Sequence, residues 1–182
     1  MSGKTDPKAG WIRSALDRFE APLMRYAYGI TGDLERARDV VQDTFLKLCS
    51  QDPSRIDGYI APWLFKVCRN RALDVRKKEA RALSLDDGHA QEKVSPDPLP
   101  SAELEAHEGL SRVLTGLKTL PPDQQEVIRL KFQNELSYRE ISEITGLSVS
   151  NVGFLLHRAL RSLRKMFETD AQIHSEPLRR VR

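Results

Sequence analysis

The run Ser137–Lys165, SYREISEITGLSVSNVGFLLHRALRSLRK, decides the fold of the second half of the chain. Ser137-Tyr-Arg-Glu140 has the Ser-x-x-Glu spacing of a capping box, in which serine and glutamate each satisfy a free N–H at a helix start. A helix of about eight residues opens there. It ends at Gly146, a residue that takes the left-handed conformation at a helix end without a Cβ clash. Gly146, Leu147 and Ser148 form the turn, and Ser148 caps a second helix expected to run to about Phe167. Two helices joined by so short a turn follow the grammar of a helix-turn-helix.

The second of these helices carries two opposed stripes. Val149, Val152, Leu156, Ala159, Leu163 and Met166 recur at three and four, which predicts packing onto Ile141, Ile144 and Leu147. Asn151, Phe154, Arg158, Arg161 and Lys165 lie about half a turn away and face outward. In a DNA-reading helix the N-terminal residues enter the major groove, here Ser148, Ser150, Asn151 and Phe154. Asparagine pairs both edges of adenine, and phenylalanine packs on a thymine methyl. Arg158, Arg161, Arg164 and Lys165 fall where phosphate contacts are expected. The alternative is an amphipathic helix with a solvated basic face; the capping box, Gly146 and the turn length favour DNA binding.

Further toward the N-terminus, Pro121-Pro122 starts a helix expected through Glu126 to Phe132, preceded by one from about Ala102 to Leu117. Before these lies SLDDGHAQEKVSPDPLPS, residues 84–101. It has three prolines, four acids and almost no large apolar side chain, so it cannot bury a core and reads as a linker. Charge follows the same division. Residues 1–80 carry 15 basic and 11 acidic side chains, 81–118 carry 4 and 7, and 119–182 carry 10 and 8.

The first half is also helical by period. A first helix is expected over Gly10–Gly29. Asp33 caps a second, whose Leu34, Ala37, Val41, Phe45 and Leu48 form one apolar stripe. Asp52-Pro53 and Asp57-Gly58 punctuate a loop, and Pro62 suits the first turn of a third helix through Trp63 to about Arg81. Lys66–Arg81 contains seven basic and two acidic residues, with Tyr59, Trp63 and Phe65 just ahead. Aromatics beside a basic helix suit partly opened nucleic acid, rings stacking on bases while cations hold phosphates. Trp63 and Phe65 as plain core is the alternative. Asn70 is placed as a base-edge reader on the face of Lys66, Arg69 and Lys77. On the second helix Asp39, Gln42, Asp43 and Leu46 share a face opposite its apolar stripe. That face repels phosphate, so it meets a protein or solvent.

The 182 residues carry 29 Lys plus Arg against 26 Asp plus Glu, with 40% apolar content. These values fit one medium or two small soluble domains. No run is long and apolar enough for a membrane span, and the polar N-terminus has no secretory h-region. Two cysteines, Cys49 and Cys68, exclude a disulfide scaffold and read as two half-buried thiols. The four histidines have no metal-binding spacing. No nucleophile–base pair or phosphate-cradling glycine loop is visible, so no enzyme and no cofactor is expected.

Two stretches of the first half, Ala37-Arg-Asp-Val-Val-Gln-Asp-Thr-Phe-Leu-Lys-Leu48 and Trp63-Leu-Phe-Lys-Val-Cys-Arg-Asn-Arg-Ala-Leu-Asp-Val-Arg76, resemble region 2 of bacterial sigma factors. The run from Leu120-Pro-Pro-Asp-Gln-Gln-Glu-Val-Ile through Leu156-His-Arg-Ala159 resembles region 4. A chain with only these two regions is similar to the extracytoplasmic-function (ECF) group. The resemblance implies an all-α protein of two small helical domains joined by a flexible acidic Pro-containing linker. It divides the chain into a disordered tail 1–9, region 2 at 10–82, a linker at 83–103, region 4 at 104–168 and a tail at 169–182.

The resemblance also implies a cytoplasmic transcription initiation factor whose partners are core RNA polymerase, through its β′ clamp and β flap, and promoter DNA. An anti-sigma factor is a further candidate partner, and no membrane insertion is expected. The polymerase-binding role falls on Asp39, Gln42, Asp43 and Leu46. Capture of the opened −10 strand falls on Tyr59, Trp63, Lys66, Arg69, Asn70, Arg76 and Lys77, with the 50–61 loop as pocket for a flipped base. Extruding a base costs a few kcal/mol, about what one good pocket returns. Reading of the −35 duplex falls on Arg139, Ser148, Ser150, Asn151, Phe154, Arg158 and Arg161. The acidic linker would thread the polymerase near the RNA exit path. Relatives carry Lys and Arg where this chain has Gly153 and Leu155, which implies fewer phosphate contacts from that turn. A stand-alone helix-turn-helix regulator is the competing reading, but it has no use for the basic aromatic helix or the acidic face.

Overall fold

The computed structural model describes residues 7–85 and 113–175, with side chains for 7–82 and 113–168. Every regular element among them is helical. The chain divides into two compact units, one built on the helices before residue 86 and the other on those after residue 112.

In the first unit α1 (Pro7–Thr31) buries Ala15, Phe19, Leu23, Tyr26 and Ala27, a stripe at three- and four-residue spacing. It ends where Gly32 takes φ +71° and its N–H donates to Tyr28 O at 2.8 Å. Only glycine holds that conformation cheaply. One residue later Asp33 starts α2 (Leu34–Cys49), its carboxylate accepting from Arg36 N at 2.9 Å. Helix α2 buries Ala37, Val40, Val41, Thr44, Phe45 and Leu48. The Thr44 hydroxyl donates to Val40 O at 2.7 Å, so its burial leaves no donor unsatisfied. Asp52 then caps the short α3 (Pro53–Ile56), followed by a 3₁₀ turn, Asp57–Tyr59. Helix α4 (Ile60–Leu85) packs Leu64, Phe65, Cys68 and Ala72 against α1 and α2. The rings of Tyr26 and Phe65 meet edge to face, 5.3 Å between centroids. Ion pairs Arg36–Glu79 and Asp43–Arg71 tie α2 to α4 along its exposed side. The result is a three-helix bundle of α1, α2 and α4.

In the second unit a helix described over 113–119 (α5) precedes α6 (Pro122–Ile128). Helix α6 runs into a π-helical turn, Arg129–Gln133. That turn is closed by Leu136 N donating to Leu130 O at 3.2 Å and Lys131 Nζ donating to Leu136 O at 3.1 Å. Helices α7 (Tyr138–Thr145) and α8 (Val149–Ser175) follow. The core is Leu117, Leu120, Val127, Leu130, Leu136, Ile141, Ile144, Val152, Leu156 and Ala159.

Several elements differ from the sequence expectation. The first helix begins at Pro7, inside the stretch 1–9 expected to be disordered. Helix α4 continues to Leu85 and α8 to Ser175, past the expected ends near Arg81 and Phe167 and into the stretches assigned to linker and tail. Helix α6 stops at Ile128 rather than Phe132, because the chain widens into the π turn. The 50–61 loop holds a capped helical turn and a 3₁₀ turn. Leu34 and Val149, assigned to apolar stripes, are exposed, and Val40 and Thr44 are buried instead. The cysteines are not two half-buried thiols: Cys49 is exposed and Cys68 fully buried. Residues 86–103, most of the linker, and the end of the tail lie outside the described residues.

Candidate nucleic-acid and protein interfaces

The helix-turn-helix is built by local hydrogen bonds. Ser137 Oγ accepts from Glu140 N at 3.2 Å while Glu140 Oε2 accepts from Ser137 N at 2.7 Å, the reciprocal pair of a capping box. Gly146 turns the chain at φ +79°. The Ser142 hydroxyl donates to Leu147 O at 2.6 Å across the turn, and Ser148 Oγ accepts from Asn151 N at 3.2 Å to start α8. Val152, Leu156, Ala159 and Leu163 then point into the core, so the opposite face is fixed. Ser148, Ser150, Asn151, Phe154, Arg158 and Arg161 all lie exposed, as does Arg139 on α7. The Arg161 guanidinium is 3.2 Å from His157 Nε2.

On α4 the spacing 63, 66, 70, 73, 77 alternates three and four, so Trp63, Lys66, Asn70 and Lys77 fall on one face. Lys66, Asn70, Arg76 and Lys77 are exposed; Trp63 and Arg69 are half-buried. Phe65 points the other way, into the core at 2% exposure. Tyr59 ends the 3₁₀ turn just ahead of this face and is exposed.

On α2 Asp39, Gln42 and Leu46 are exposed, Leu46 at 60%. Asp43 shares their face but is already engaged: its Oδ2 accepts from Arg71 Nε at 2.6 Å, with both side chains half-buried. Arg71 was not among the sequence-selected residues, and a pair 28 positions apart leaves no local signal. Beside this face a mostly apolar notch of about 450 Å³ opens between α1 and α2, lined by Leu16, Met24, Val41, Phe45, Leu46 and Cys49 together with Glu20, Arg38 and Gln42. Tyr138 was also passed over. Its ring lies against Gly153, where an added Cβ would meet Tyr138 Cε2 at 3.6 Å, and Lys131 Nζ stands 5.7 Å from the ring centroid. An aromatic directly after a capping serine was the available signal.

Burial pushes the Cys68 thiol up to about 12, only partly opposed by its hydrogen bond with Thr44. That thiol stays protonated at neutral pH. Among the described residues no group of three or more His, Cys, Asp or Glu side chains is arranged to hold a metal ion, and no helix is long and apolar enough to cross a membrane.

Residues 15–82 match the family model for sigma-70 region 2, and residues 110–163 match that for sigma-70 region 4. The chain is 33% identical over 173 residues to the ECF RNA polymerase sigma factor SigL of Mycobacterium tuberculosis, covering 90% of this chain and 93% of that one. It is 29% identical over 149 residues to the ECF RNA polymerase sigma factor SigM of Bacillus subtilis, covering 80% and 88%. The chain belongs to the ECF sigma factors, transcription initiation factors that recognise promoters. The fold is shared with RpoE of Bartonella quintana, solved with the anti-sigma factor NepR, at TM-score 0.68 and 24% identity over 88% of this chain and 98% of that one. It is shared also with CnrH, solved with the cytosolic domain of CnrY, at TM-score 0.59 and 24% identity over 87% and 88%.

Proposed function

We propose that the three exposed faces divide the work of initiation. Asp39, Gln42, Asp43 and Leu46 dock on the polymerase clamp, with the notch beside Leu46 as the apolar anchor and the carboxylates setting orientation. The α4 face holds the opened −10 strand: Lys66, Arg69, Arg76 and Lys77 on phosphates, Asn70 on a base edge, Tyr59 and Trp63 as stacking surfaces. Helix α8 reads the −35 duplex through Ser150, Asn151 and Phe154, while Arg139, Arg158 and Arg161 hold backbone phosphates. Region 2 is the bundle that starts with α1 and ends with α4, region 4 is the unit that ends with α8, and the site of action is the cytoplasm. An anti-sigma factor is the natural regulatory partner, since a sigma factor of the same fold was solved with one.

One observation carries this reading. The acidic face of α2 and the basic aromatic face of α4 belong to one small bundle, and a regulator that reads only duplex has no use for either. The deciding experiment is in vitro transcription on fragmented genomic DNA, with core polymerase alone and with core plus this protein. Discrete new start sites sharing two spaced upstream motifs are expected. Protection of discrete duplex sites by the free protein, with no new transcript, would instead define a conventional regulator.

A further inference from the structure

The reading end of α8 is uncharged. Between Arg139 and Arg158 the chain contains no lysine or arginine. Apolar surface is exposed there instead: Phe154 at 58%, Val149 at 47% and Tyr138 at 43%. The Tyr138 ring lies along the helix flank beside Gly153, four residues from Val149 on the same side. Lys131, whose Nζ stands 5.7 Å from the centre of that ring, is tied to Leu136 O. Ser148 Oγ is occupied as a cap. The outward readers that remain are Ser150, Asn151 and Phe154, and the largest of them has no hydrogen-bonding group.

A phenylalanine more than half exposed on a helix that enters a major groove needs an apolar counterpart. The one apolar group presented there by a base pair is the thymine C5-methyl. We infer that Phe154 is a specificity-determining residue that covers a thymine methyl in the −35 duplex, with Val149 and Tyr138 extending the apolar surface beside it. The inference rests on the proposed reading of −35 DNA by α8. Asn151 and Phe154 are three residues apart, about 4.5 Å along the helix. That is close to the 3.4 Å base-pair step, so the thymine belongs to a base pair neighbouring the one Asn151 reads. Phosphate anchorage starts a turn later, at Arg158, Arg161 and Lys165. Base selection and salt-dependent grip are thereby separated along one helix.

Deoxyuridine removes only the methyl and leaves pairing intact. Holoenzyme assembled from core polymerase and the full chain is assayed by single-round transcription on a promoter fragment taken from the genomic screen. Each −35 thymine, on either strand, is replaced in turn by deoxyuridine, and one fragment carries a scrambled −35 element. One position should lose about fourfold, the worth of one buried methyl. With Phe154→Ser that position should become insensitive while the salt dependence of binding is unchanged. Because Phe154 lies on the surface, this replacement leaves the core intact, and the wild-type series needs no variant. Neutral deoxyuridine at every position, with the scrambled element inactive, overturns the methyl contact alone. Persistent sensitivity in Phe154→Ser overturns its assignment to Phe154. Full activity of the scrambled element refutes −35 reading by α8 itself.

Discussion

Exchanging the charges of Asp43 and Arg71 separates a partner-binding role from a structural one. The two side chains meet at 2.6 Å and are 39% and 38% exposed, so solvent screens the pair and its worth is at most about 1 kcal/mol. Asp43→Arg removes that attraction and sets two cations together, a total cost of about 1–2 kcal/mol. Against a typical domain stability of about 5–15 kcal/mol the bundle stays folded. Its melting transition should fall by several degrees, at about 4–8 °C per kcal/mol for a unit of this size. Asp43→Arg with Arg71→Asp restores an ion pair across the same gap and should recover most of the loss. Polymerase sees the exchange differently, because its contact loses a carboxylate and meets a cation. A central interface residue costs about 2 kcal/mol or more, roughly thirtyfold in affinity. Thermal denaturation of the full chain and competition for core polymerase give the two readouts. Core binding should stay at least thirtyfold weak in the exchanged protein. If the exchange restores binding with stability, Asp43 acts only by fixing Arg71 and α4, and its place on the polymerase face is refuted.

Gly153→Ala should stabilise the second unit by about 0.5–1 kcal/mol in urea denaturation, since the new methyl meets the Tyr138 ring at ordinary contact distance, 3.6 Å, and the helix gains propensity; a loss would mean that the ring cannot accommodate it. Asn151→Ala should relax preference at a single −35 position, and uniform weakening across promoter variants would reduce Asn151 to a backbone contact. Under native conditions a thiol reagent should modify Cys49 and spare Cys68, which is fully buried. The folded Cys68 thiol, at about 12 against an ordinary value of 9.0, stays protonated while the unfolded chain releases its proton. Stability should therefore fall as pH rises from about 9 toward 12, and Cys68→Ala should show a shallower decline in alkaline denaturation.

What was legible in the sequence is what local chemistry dictates. The Ser137 box, Gly146 and the Ser148 and Asp33 caps are each written within four residues, and each appears as read. Asp52-Pro53 carries an equally local cap-and-proline signature, but its reading as loop punctuation is wrong, since the structure has α3 there. Leu34 and Val149 failed as core for one shared reason. Each is the first residue after a cap, a turn short of where its helix meets a packing partner. Val40 and Thr44 were missed because α2 packs on two neighbours, so its buried arc is wider than a single stripe. Non-local features had no signal at all. The π turn depends on Leu136 reaching back to Leu130, and the Asp43–Arg71 pair depends on the bundle already existing.

Helix α8 runs unbroken for 27 residues, about 40 Å. A straight rod cannot follow a groove that winds around the duplex. Once its first turns are seated, the remainder departs from the DNA along a tangent, like a spoke from a hub. The stretch beyond Arg161 is held by the protein instead, with Leu163 in the core and the Thr119 hydroxyl donating to Met166 Sδ at 3.9 Å, so the helix proposed to enter the groove is braced from behind by its own unit.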